Sequence, residues 1–443
     1  MSLLRNDGFI PSIRPLSAKK PSVISILDVG TSKICCIIAT LHPRDHSQVL
    51  PGRTHKVEVI GIGHQRSRGI KSGVVVNLDQ AEQAIRKCVD AAERMANLTV
   101  ESLIVNVSSG RLVSEAFSAN VDVGGHEISQ KDIGRVLRAG AQHALAPERS
   151  VIHSLPIGYT LDGEQGIMDP CGMIGDVLGV DMHVLTAENA PLRNLELCIN
   201  RAHLSIEAMV ATPYASGLAA LVDDESEMGS ACIDMGGGTT TLSVFMNGRF
   251  IYCDAIAVGG HHVTMDLARG LSTRLEDAER LKVLHGSVLA GDVRGDDTVS
   301  VPSIEGGEQE NTAQVAKSHL TRIIRPRIEE TLELIRDRLA RSGFADAVGK
   351  RVVLTGGACQ LNGVGEAAKR ILSKNVRIGR PMGIRGMPEA AKGPAFSTAV
   401  GLLVYPQISQ IEFTPPRFEE PAFLMTGTGG RLQRLGQWLR QSL

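Results

Sequence analysis

Two glycine-rich turns of the same kind constrain the fold of this 443-residue chain more than any other feature. The β-branched run SVISILD ends in Asp28 and continues through the turn VGTSK into a second apolar run, ICCIIAT. The run SACID ends in Asp234 and continues through MGGGTT into TLSVFM. A third apolar run and a helical pattern follow each pair. Because the two aspartates are 206 positions apart, too far for a solenoid repeat, the recurrence predicts two duplicated lobes.

Both turns also have the chemistry of a phosphate site. Glycine lets backbone N–H groups approach an anion closely, and an acid at a strand end can hold Mg²⁺ through its waters. Taken alone, the turn after Asp28 is more often a plain hairpin, and a third glycine turn, LTGGA at 354–358, is more often structural. The three glycines of 236–238 exceed what a hairpin needs. Two such turns facing each other, with the third beside a nucleoside, can hold one triphosphate.

Other nucleotide motifs are missing, and composition excludes several functions. The run RGIKSG at 68–73 has Ile where a P-loop needs Gly. With 47 basic and 48 acidic residues, and with 3% aromatics, the chain does not resemble a nucleic-acid binder. No stretch of about 20 apolar residues predicts a spanning helix. The eight scattered cysteines and the lack of a signal-peptide pattern predict free thiols in a reducing cytoplasm. In the pair Cys35–Cys36, strand alternation predicts that one thiol faces the core.

The last thirteen residues, RLQRLGQWLRQSL, carry three arginines and no acid. On a helical wheel the apolar side chains share one face and arginines flank it; these residues are Leu432, Leu435, Trp438, Leu439, Leu443, Arg434 and Arg440. A helix of this length is about 20 Å long, too short to span a bilayer. Its pattern suits an anionic membrane surface, the alternative being a helix docked on the protein's own core. The Pro- and Gly-rich stretch before it favours the membrane.

Several runs in order resemble one protein family. They are LDVGTSK (27–33), SRGIKSGVV (67–75), CIDMGGGTTTLSVF (232–245), DAERLKVLHG (277–286), VVLTGGACQLNGV (352–364), VRIGRP (376–381) and STAVGLL (397–403). This order resembles the actin, sugar-kinase and heat-shock-chaperone superfamily. Within it, residues 21–408 and the extreme C-terminus closely resemble the bacterial cell-division family FtsA.

The resemblance implies an α/β, actin-like two-lobed fold with duplicated RNase H-like lobes and the inserted 1C subdomain of the FtsA family. The implied bounds are lobe 1 or 1A (21–100, 186–211 and 394–408), 1C (101–185), lobe 2 or 2A (212–262 and 348–393), its small subdomain 2B (263–347) and the membrane-targeting helix (431–443). Composition alone predicts a disordered basic tail at 1–20, which extends beyond the family pattern, and a Pro- and Gly-rich linker at 409–430.

The resemblance also assigns ATP and Mg²⁺ as cofactors. The residues that it implies bind the phosphates are Gly30, Thr31, Ser32, Lys33, Gly236, Gly237, Gly238 and Thr239. Asp28 and Asp234 are expected to hold magnesium waters, and Gly356 and Gly357 to flank the adenosine. Glu279 and Lys282 are implied to line the base and ribose, although their helical spacing alone favours a surface pair. The turn at 211–215 offers Thr212 but no Gln, Glu or Asp to orient water, so no catalytic residue is assigned and at most slow ATPase activity is expected.

A scaffold is the implied function: ATP binding, self-association into protofilaments through 1C, and tethering of the FtsZ ring to the cytoplasmic face of the inner membrane at the division site. The FtsZ C-terminal peptide is expected at 2B, where Arg322, Arg325 and Arg327 suit an acidic peptide or equally a solvated helix face. Later division proteins are further expected partners.

Alternatives within the superfamily are a sugar kinase or polyphosphate phosphatase, a chaperone and a pilus-assembly adaptor. A kinase needs a general-base carboxylate in the cleft, and no convincing candidate is found. A chaperone needs a further domain, yet only 35 residues follow residue 408. A pilus adaptor is expected to lack the terminal amphipathic helix. All three comparisons favour the scaffold.

Overall fold

The computed structural model describes residues 13, 15–45, 52–108, 111–141, 148–289, 297–303 and 312–413. The strands are β1 (Ser22–Val29), β2 (Lys33–Pro43), β3 (His55–Arg66), β4 (Ile70–Lys71), β5 (Val74–Val75), β6 (Ser102–Val107), β7 (Val113–Asp122), β8 (Arg149–Leu161), β9 (Glu164–Ile167), β10 (Val177–Glu188), β11 (Ser205–Ala211), β12 (Ser230–Met235), β13 (Thr240–Met246), β14 (Arg249–Ile256), β15 (Thr298–Pro302), β16 (Thr312–Ala316), β17 (Arg351–Thr355), β18 (Asn375–Ile378) and β19 (Ile384–Arg385).

The α-helices are α1 (Leu78–Ala96), α2 (Gln130–Ala141), α3 (Asn189–Arg201), α4 (Thr212–Ala220), α5 (Asp223–Met228), α6 (Gly260–Gly270), α7 (Leu275–His285), α8 (Lys317–Arg341), α9 (Val364–Leu372) and α10 (Ser397–Val404). Within the described residues, no helix combines the length and the hydropathy that crossing a bilayer requires. The predicted membrane helix 431–443, most of the predicted basic tail and residues 414–430 of the predicted linker lie outside the described residues.

Two sheets repeat the same topology, which confirms the predicted duplication. The first has the order β11-β6-β1-β2-β3-β19 and the second the order β14-β13-β12-β17-β18. In the first, β1 pairs antiparallel with β2 and parallel with β6. In the second, β12 pairs antiparallel with β13 and parallel with β17. The strand that ends in an aspartate therefore occupies the same place in each lobe.

Helix α1 forms where the sequence predicts it and covers the first sheet. The Asn77 side chain accepts the Gln80 backbone N–H at 3.0 Å, which caps the first turn. Asn97 ends the helix in the left-handed region, at φ 52°. The helix packs so closely on β3 that a Cβ at Gly63 would overlap the Cys88 carbonyl. Strand β3 therefore needs glycine at this crossing.

The prediction that only one thiol of Cys35–Cys36 faces the core is wrong. Both side chains have 0% exposure. Strand β2 lies inside its sheet and contacts both α1 and α10. Because helices cover the two faces of β2, alternation of side chains along the strand exposes neither thiol.

A separate four-stranded sheet, β7-β10-β8-β9, lies in the chain between β6 and α3 and packs α2 against it. It has its own small apolar core. His183 of β10 links this insert to the second lobe, because its Nδ1 donates to the Phe250 carbonyl at 2.9 Å. Its Nε2 accepts the Ser114 hydroxyl at 2.7 Å. Burial lowers the His183 pKa to about 4, so the imidazole is neutral near pH 7.

Helices α4 and α10 cross between the two large sheets. A Cβ at Gly401 of α10 would overlap the Ala215 carbonyl of α4, so the two backbones are in direct contact there. Every residue of α10 is buried, and α4 is buried except for Leu218, which is half-buried. Helix α4 contacts strands of both lobes, among them β6 and β12. Helix α10 contacts β1 and β6 of the first lobe, and its Thr398 bonds to Asp234 of β12 in the second. This crossed pair forms the floor of the space between the lobes.

Candidate functional site

A cavity of about 720 Å³ lies between the two lobes and brings the predicted site residues together. Its walls include both hairpin turns, the third glycine turn and the start of α4. All the predicted phosphate, magnesium and nucleoside residues line it, namely Asp28, Gly30, Thr31, Ser32, Lys33, Asp234, Gly236, Gly237, Gly238, Thr239, Glu279, Lys282, Gly356 and Gly357. The volume lies in the range of small-molecule and cofactor sites.

The two hairpin turns have the same internal geometry. The Gly30 N–H donates to the Lys33 carbonyl at 3.0 Å, and the Gly236 N–H donates to the Thr239 carbonyl at 2.9 Å. The tips of the two turns meet, since a Cβ on Gly238 would overlap the Thr31 hydroxyl. A Cβ on Gly237 would likewise overlap the Ser32 hydroxyl. Glycine at both positions lets the two turns approach each other without these overlaps, and glycine turns of this kind can present backbone N–H groups to an anion.

Asp28 and Asp234 stand at the foot of the two turns, with only 6% and 7% of their surfaces exposed. Burial raises the Asp28 pKa to about 6, while the Lys33 charge opposes the rise and the Asp234 charge adds to it. Burial also raises the Asp234 pKa, while the hydrogen bond from Thr398 and the nearby Ser216 hydroxyl oppose the rise. Two neighbouring buried carboxylates are costly without a cation. Their oxygens are the ligands, direct or through water, that Mg²⁺ prefers.

Lys33 supplies an ammonium without a hydrogen-bond partner. Its Nζ is buried, bonds to no atom of the described residues and lies 3.2 Å from the centroid of the Phe396 ring. Burial lowers the Lys33 pKa, and Asp28 is the largest opposing influence. A buried, unpartnered ammonium beside a glycine cradle is the environment that a polyphosphate completes. The residues present therefore fit a magnesium–nucleotide complex.

Glu279 and Lys282 form an ion pair that belongs to the cavity wall. The Lys282 Nζ lies 2.7 Å from the Glu279 carboxylate and donates to the Gly260 carbonyl at 3.1 Å. It also donates to the Thr264 hydroxyl at 2.9 Å, and the Lys282 side chain is only 14% exposed. These bonds join α7 to the start of α6. The pair keeps the i,i+3 helical spacing of the surface-pair alternative, with the Glu279 side chain 50% exposed, and its Lys282 end also lines the cavity.

The third glycine turn requires glycine on two grounds. Gly356 has a φ of +88°, and a Cβ there would overlap the Asp234 carboxylate, with the Met235 carbonyl 2.5 Å away. The turn therefore lies directly against the foot of the second hairpin. A side chain at Gly356 would displace the carboxylate that the family resemblance assigns to magnesium.

Asn106, at the end of β6, is a cavity residue that sequence reasoning missed. Its Oδ1 accepts the Val29 N–H at 2.6 Å, and its Nδ2 donates to the Thr212 hydroxyl at 3.2 Å. It thus ties the start of the first turn to the start of α4. The available signal is one amide in the otherwise apolar strand LIVNV, since a buried amide needs partners. Thr398 was missed in the same way.

The His262 side chain has a structural partner. The His262 Nδ1 accepts the Gly259 N–H at 3.1 Å, which caps α6. Among the described residues, no group of three or more His, Cys, Asp or Glu side chains is arranged to hold a metal.

In the predicted peptide site, Arg325 pairs with Glu329 at 2.8 Å and Arg327 with Asp266 at 2.7 Å. Acids on the protein thus already neutralise two of these three arginines.

Comparisons with known proteins agree with the geometry. A family model described as cell division protein FtsA matches residues 231–401, and one described as an SHS2 domain inserted in FtsA matches residues 109–186. The chain is 61% identical over 444 residues to the cell division protein FtsA of Agrobacterium fabrum, with 100% of both chains covered. The identity is 59% to the Rhizobium meliloti protein, with 100% of both covered. It is 30% to that of Escherichia coli K12, covering 94% of this chain and 97% of the relative.

Solved structures share the fold at low identity. The PilM–PilN type IV pilus biogenesis complex gives a TM-score of 0.59 at 15% identity, covering 87% of this chain and 98% of that chain. MreB5 of Spiroplasma citri bound to ADP gives 0.52 at 12% identity, covering 88% and 97%. These likenesses show an actin-like fold, and the insert matched at 109–186 is the one described for FtsA. From the full-length identity and the matched parts, the chain belongs to the FtsA family of bacterial cell-division proteins.

Proposed function

We propose that this chain binds Mg·ATP in the cleft between its lobes and acts in cell division mainly as a scaffold. The observation that carries the proposal is the pair of facing glycine turns, with Asp28 and Asp234 at their feet and the unpartnered Lys33 ammonium between them. One cavity thus contains an ammonium that calls for an anion, two carboxylates that call for a cation, and glycine turns that allow a ligand to approach the backbone closely. A nucleotide with its divalent cation satisfies all three.

Backbone and side-chain groups of the cleft have separate roles in the proposed binding of Mg·ATP. Backbone N–H groups of the turns at 30–33 and 236–239 donate to phosphate oxygens, and Lys33 neutralises part of their charge. Asp28 and Asp234 would hold the magnesium through its waters, and the ion would supply charge that shields the phosphates. Glu279 and Lys282 face the base and ribose, and Gly356 and Gly357 leave room for the adenosine. The subdomain bounds implied by the resemblance are part of this proposal.

Hydrolysis is proposed to be slow. The start of α4 offers only the Thr212 hydroxyl, and this hydroxyl is already bonded to Asn106. Neither the Thr212 hydroxyl nor the Asn106 amide can act as a general base near pH 7. Binding, rather than turnover, is therefore the main action of the cleft. The family assignment removes the support for a sugar kinase, phosphatase, chaperone or pilus adaptor.

The scaffold function has four further parts. We propose that the protein self-associates through its insert, binds the C-terminal peptide of FtsZ at the small subdomain of the second lobe, and recruits later division proteins. Residues 431–443, with three arginines and no acid, are proposed to hold it peripherally on the cytoplasmic face of the inner membrane. Membership of the FtsA family supports each of these parts.

Titration calorimetry with Mg·ATP tests the cleft directly. Asp234→Asn keeps the size of the side chain and removes its charge, so we expect affinity to fall about tenfold or more. Asp181→Asn is the matched control, because Asp181 lies in the insert and bonds to Ser118 at 2.5 Å. Its affinity should equal that of the unchanged protein. Equal affinity in the Asp234 variant would overturn the assignment.

A further inference from the structure

A second cavity, of about 410 Å³, lies at the far ends of α4 and α10 from the nucleotide cleft. Thr212 and Thr398 at the helix starts line the cleft, whereas Leu218 and Val404 near the helix ends line this second cavity. We call it the rear pocket. Its wall is formed by Gly52, Arg53, Leu155, Tyr214, Gly217, Leu218, Leu221, Asp223, Asp224, Ser226, Glu227, Phe245, Gly248, Arg249, Phe250, Val404, Ile408 and Ile411.

The floor of the rear pocket is aromatic. Tyr214 stacks on Phe250 with ring centroids 4.6 Å apart and planes 7° from parallel. Phe245 leans on Phe250 at 5.4 Å. All three rings are almost completely buried from solvent by the protein. An apolar side chain entering the pocket would leave water and contact these rings, which favours binding.

The wall of the rear pocket contains Arg249, which has an unsatisfied hydrogen-bond donor. Arg249 Nη1 is buried and has no hydrogen-bond partner among the described residues. The guanidinium and Tyr214 both line the pocket. Burial raises the Tyr214 pKa, the Glu412 charge adds to the rise and the Arg249 charge opposes it. A buried donor without an acceptor is costly. A carboxylate is the acceptor that a guanidinium binds most strongly, often through two bonds.

The rim of the rear pocket is acidic. Asp223, Asp224 and Glu227 are exposed, and the Asp223 charge opposes the fall that burial causes in the Arg53 pKa, so Asp223 already acts on a cation of the wall. Arg53, the other cation of the wall, already donates to the Leu218 carbonyl at 3.0 Å. The rim is thus complementary to a positive charge outside the pocket, while Arg249 is complementary to a negative charge inside it.

We propose that the rear pocket binds the carboxyl-terminal end of a partner polypeptide whose last residue is large and apolar and follows a Lys or Arg. The terminal carboxylate pairs with Arg249, the last side chain packs on Phe250 and its neighbours, and the basic residue pairs with the rim. A fatty acid supplies the first two features but is repelled by the rim. The proposal stands independently of ATP binding, because none of these contacts lies in the nucleotide cleft.

The test uses the full chain and a fluorescein-labelled peptide, GSKF, with either a free carboxylate or a carboxamide at its end. We expect the acid to bind about tenfold or more tightly than the amide in fluorescence anisotropy, because the amide lacks the charge that Arg249 pairs with. Arg249→Gln should abolish this preference. Arg336→Gln, on a solvent-facing part of α8 where Arg336 pairs with Asp337 at 3.0 Å, should keep it.

A variant of the rim keeps the test decisive if the Arg249 variant does not fold. Asp224→Lys should weaken binding of the acid peptide and abolish its dependence on the basic residue, measured with GSAF in place of GSKF. Equal binding of acid and amide to the unchanged protein would overturn the proposal. Unlabelled phenylalanine competing as well as unlabelled GSKF would overturn it too, since the pocket would then bind a free amino acid.

Discussion

The Thr398 hydroxyl donates a hydrogen bond of 3.0 Å to the Oδ2 atom of Asp234, across 164 positions of sequence. It joins α10 to the end of β12, where the second glycine turn begins. Ser216 of α4 is near enough to lower the Asp234 pKa, while its hydroxyl donates to the Thr212 carbonyl at 2.9 Å. The carboxylate is thus held by α10, one of the two helices that cross at Gly401 and form the floor between the lobes. Its orientation therefore depends on how the lobes are held together.

Thr398→Val should weaken Mg·ATP binding without removing the carboxylate. Valine keeps the shape of threonine and lacks the hydroxyl, so Asp234 loses one bond that favours its charged form. A net hydrogen bond of about 1 kcal/mol corresponds to about a fivefold rise in Kd, measurable by titration calorimetry. Thr398→Ser should retain most of the affinity. Thr331→Val, which removes a 2.7 Å bond to the Arg327 carbonyl on α8, should bind normally.

Gly356→Ala should destabilise the protein and weaken nucleotide binding together. At a φ of +88° the new methyl group is strained and overlaps the Asp234 carboxylate. A cost of about 1–3 kcal/mol in the free energy of unfolding is expected from urea denaturation. Gly365→Ala is the matched control, because Gly365 lies in α9 and its nearest contact for a Cβ is at 3.9 Å. There alanine should be neutral or stabilising by about 1 kcal/mol. An unchanged Gly356 variant would contradict the geometry.

The features that could be predicted from the sequence are those that local patterns of residues determine. The duplicated lobes and α1 follow from apolar periodicity and turn residues, which act within about twenty positions. The grouping of the three glycine turns followed from their shared chemistry. The Cys35–Cys36 error arose because the faces of β2 are covered by α1 and α10, and α10 lies more than 350 positions away. Asn106 and Thr398 were missed because their partners come from distant segments that no periodicity brings together.

Acid should destabilise the protein through His183. Its folded pKa is lowered from 6.5 to about 4 by burial, so the unfolded chain takes up a proton at a pH where the folded protein does not. The stability that its neutral form contributes is full above pH 6.5 and is lost as the pH falls towards 4, by about 3 kcal/mol. Urea unfolding between pH 7.5 and 4.5 measures this loss.

His183→Gln isolates that contribution, because glutamine can donate to the Phe250 carbonyl and accept from Ser114 but does not titrate. The variant should show a shallower fall in unfolding free energy over the same pH range. His42→Gln is the control for exchanging a histidine at the surface, since the His42 side chain is 44% exposed. A His183 variant with the original slope would place the acid sensitivity in other groups.

Deleting residues 431–443 should abolish sedimentation with anionic vesicles. One short helix binds weakly, so attachment should strengthen steeply with protein concentration if copies assemble on the surface. Arg434→Ala with Arg440→Ala should weaken binding by about 2 kcal/mol at low salt, about 1 for each arginine, and less at high salt. Vesicles of neutral lipid are the control and should bind less of the full chain. If the segment instead docks on the protein's own core, its deletion should lower the free energy of unfolding and leave vesicle binding unchanged.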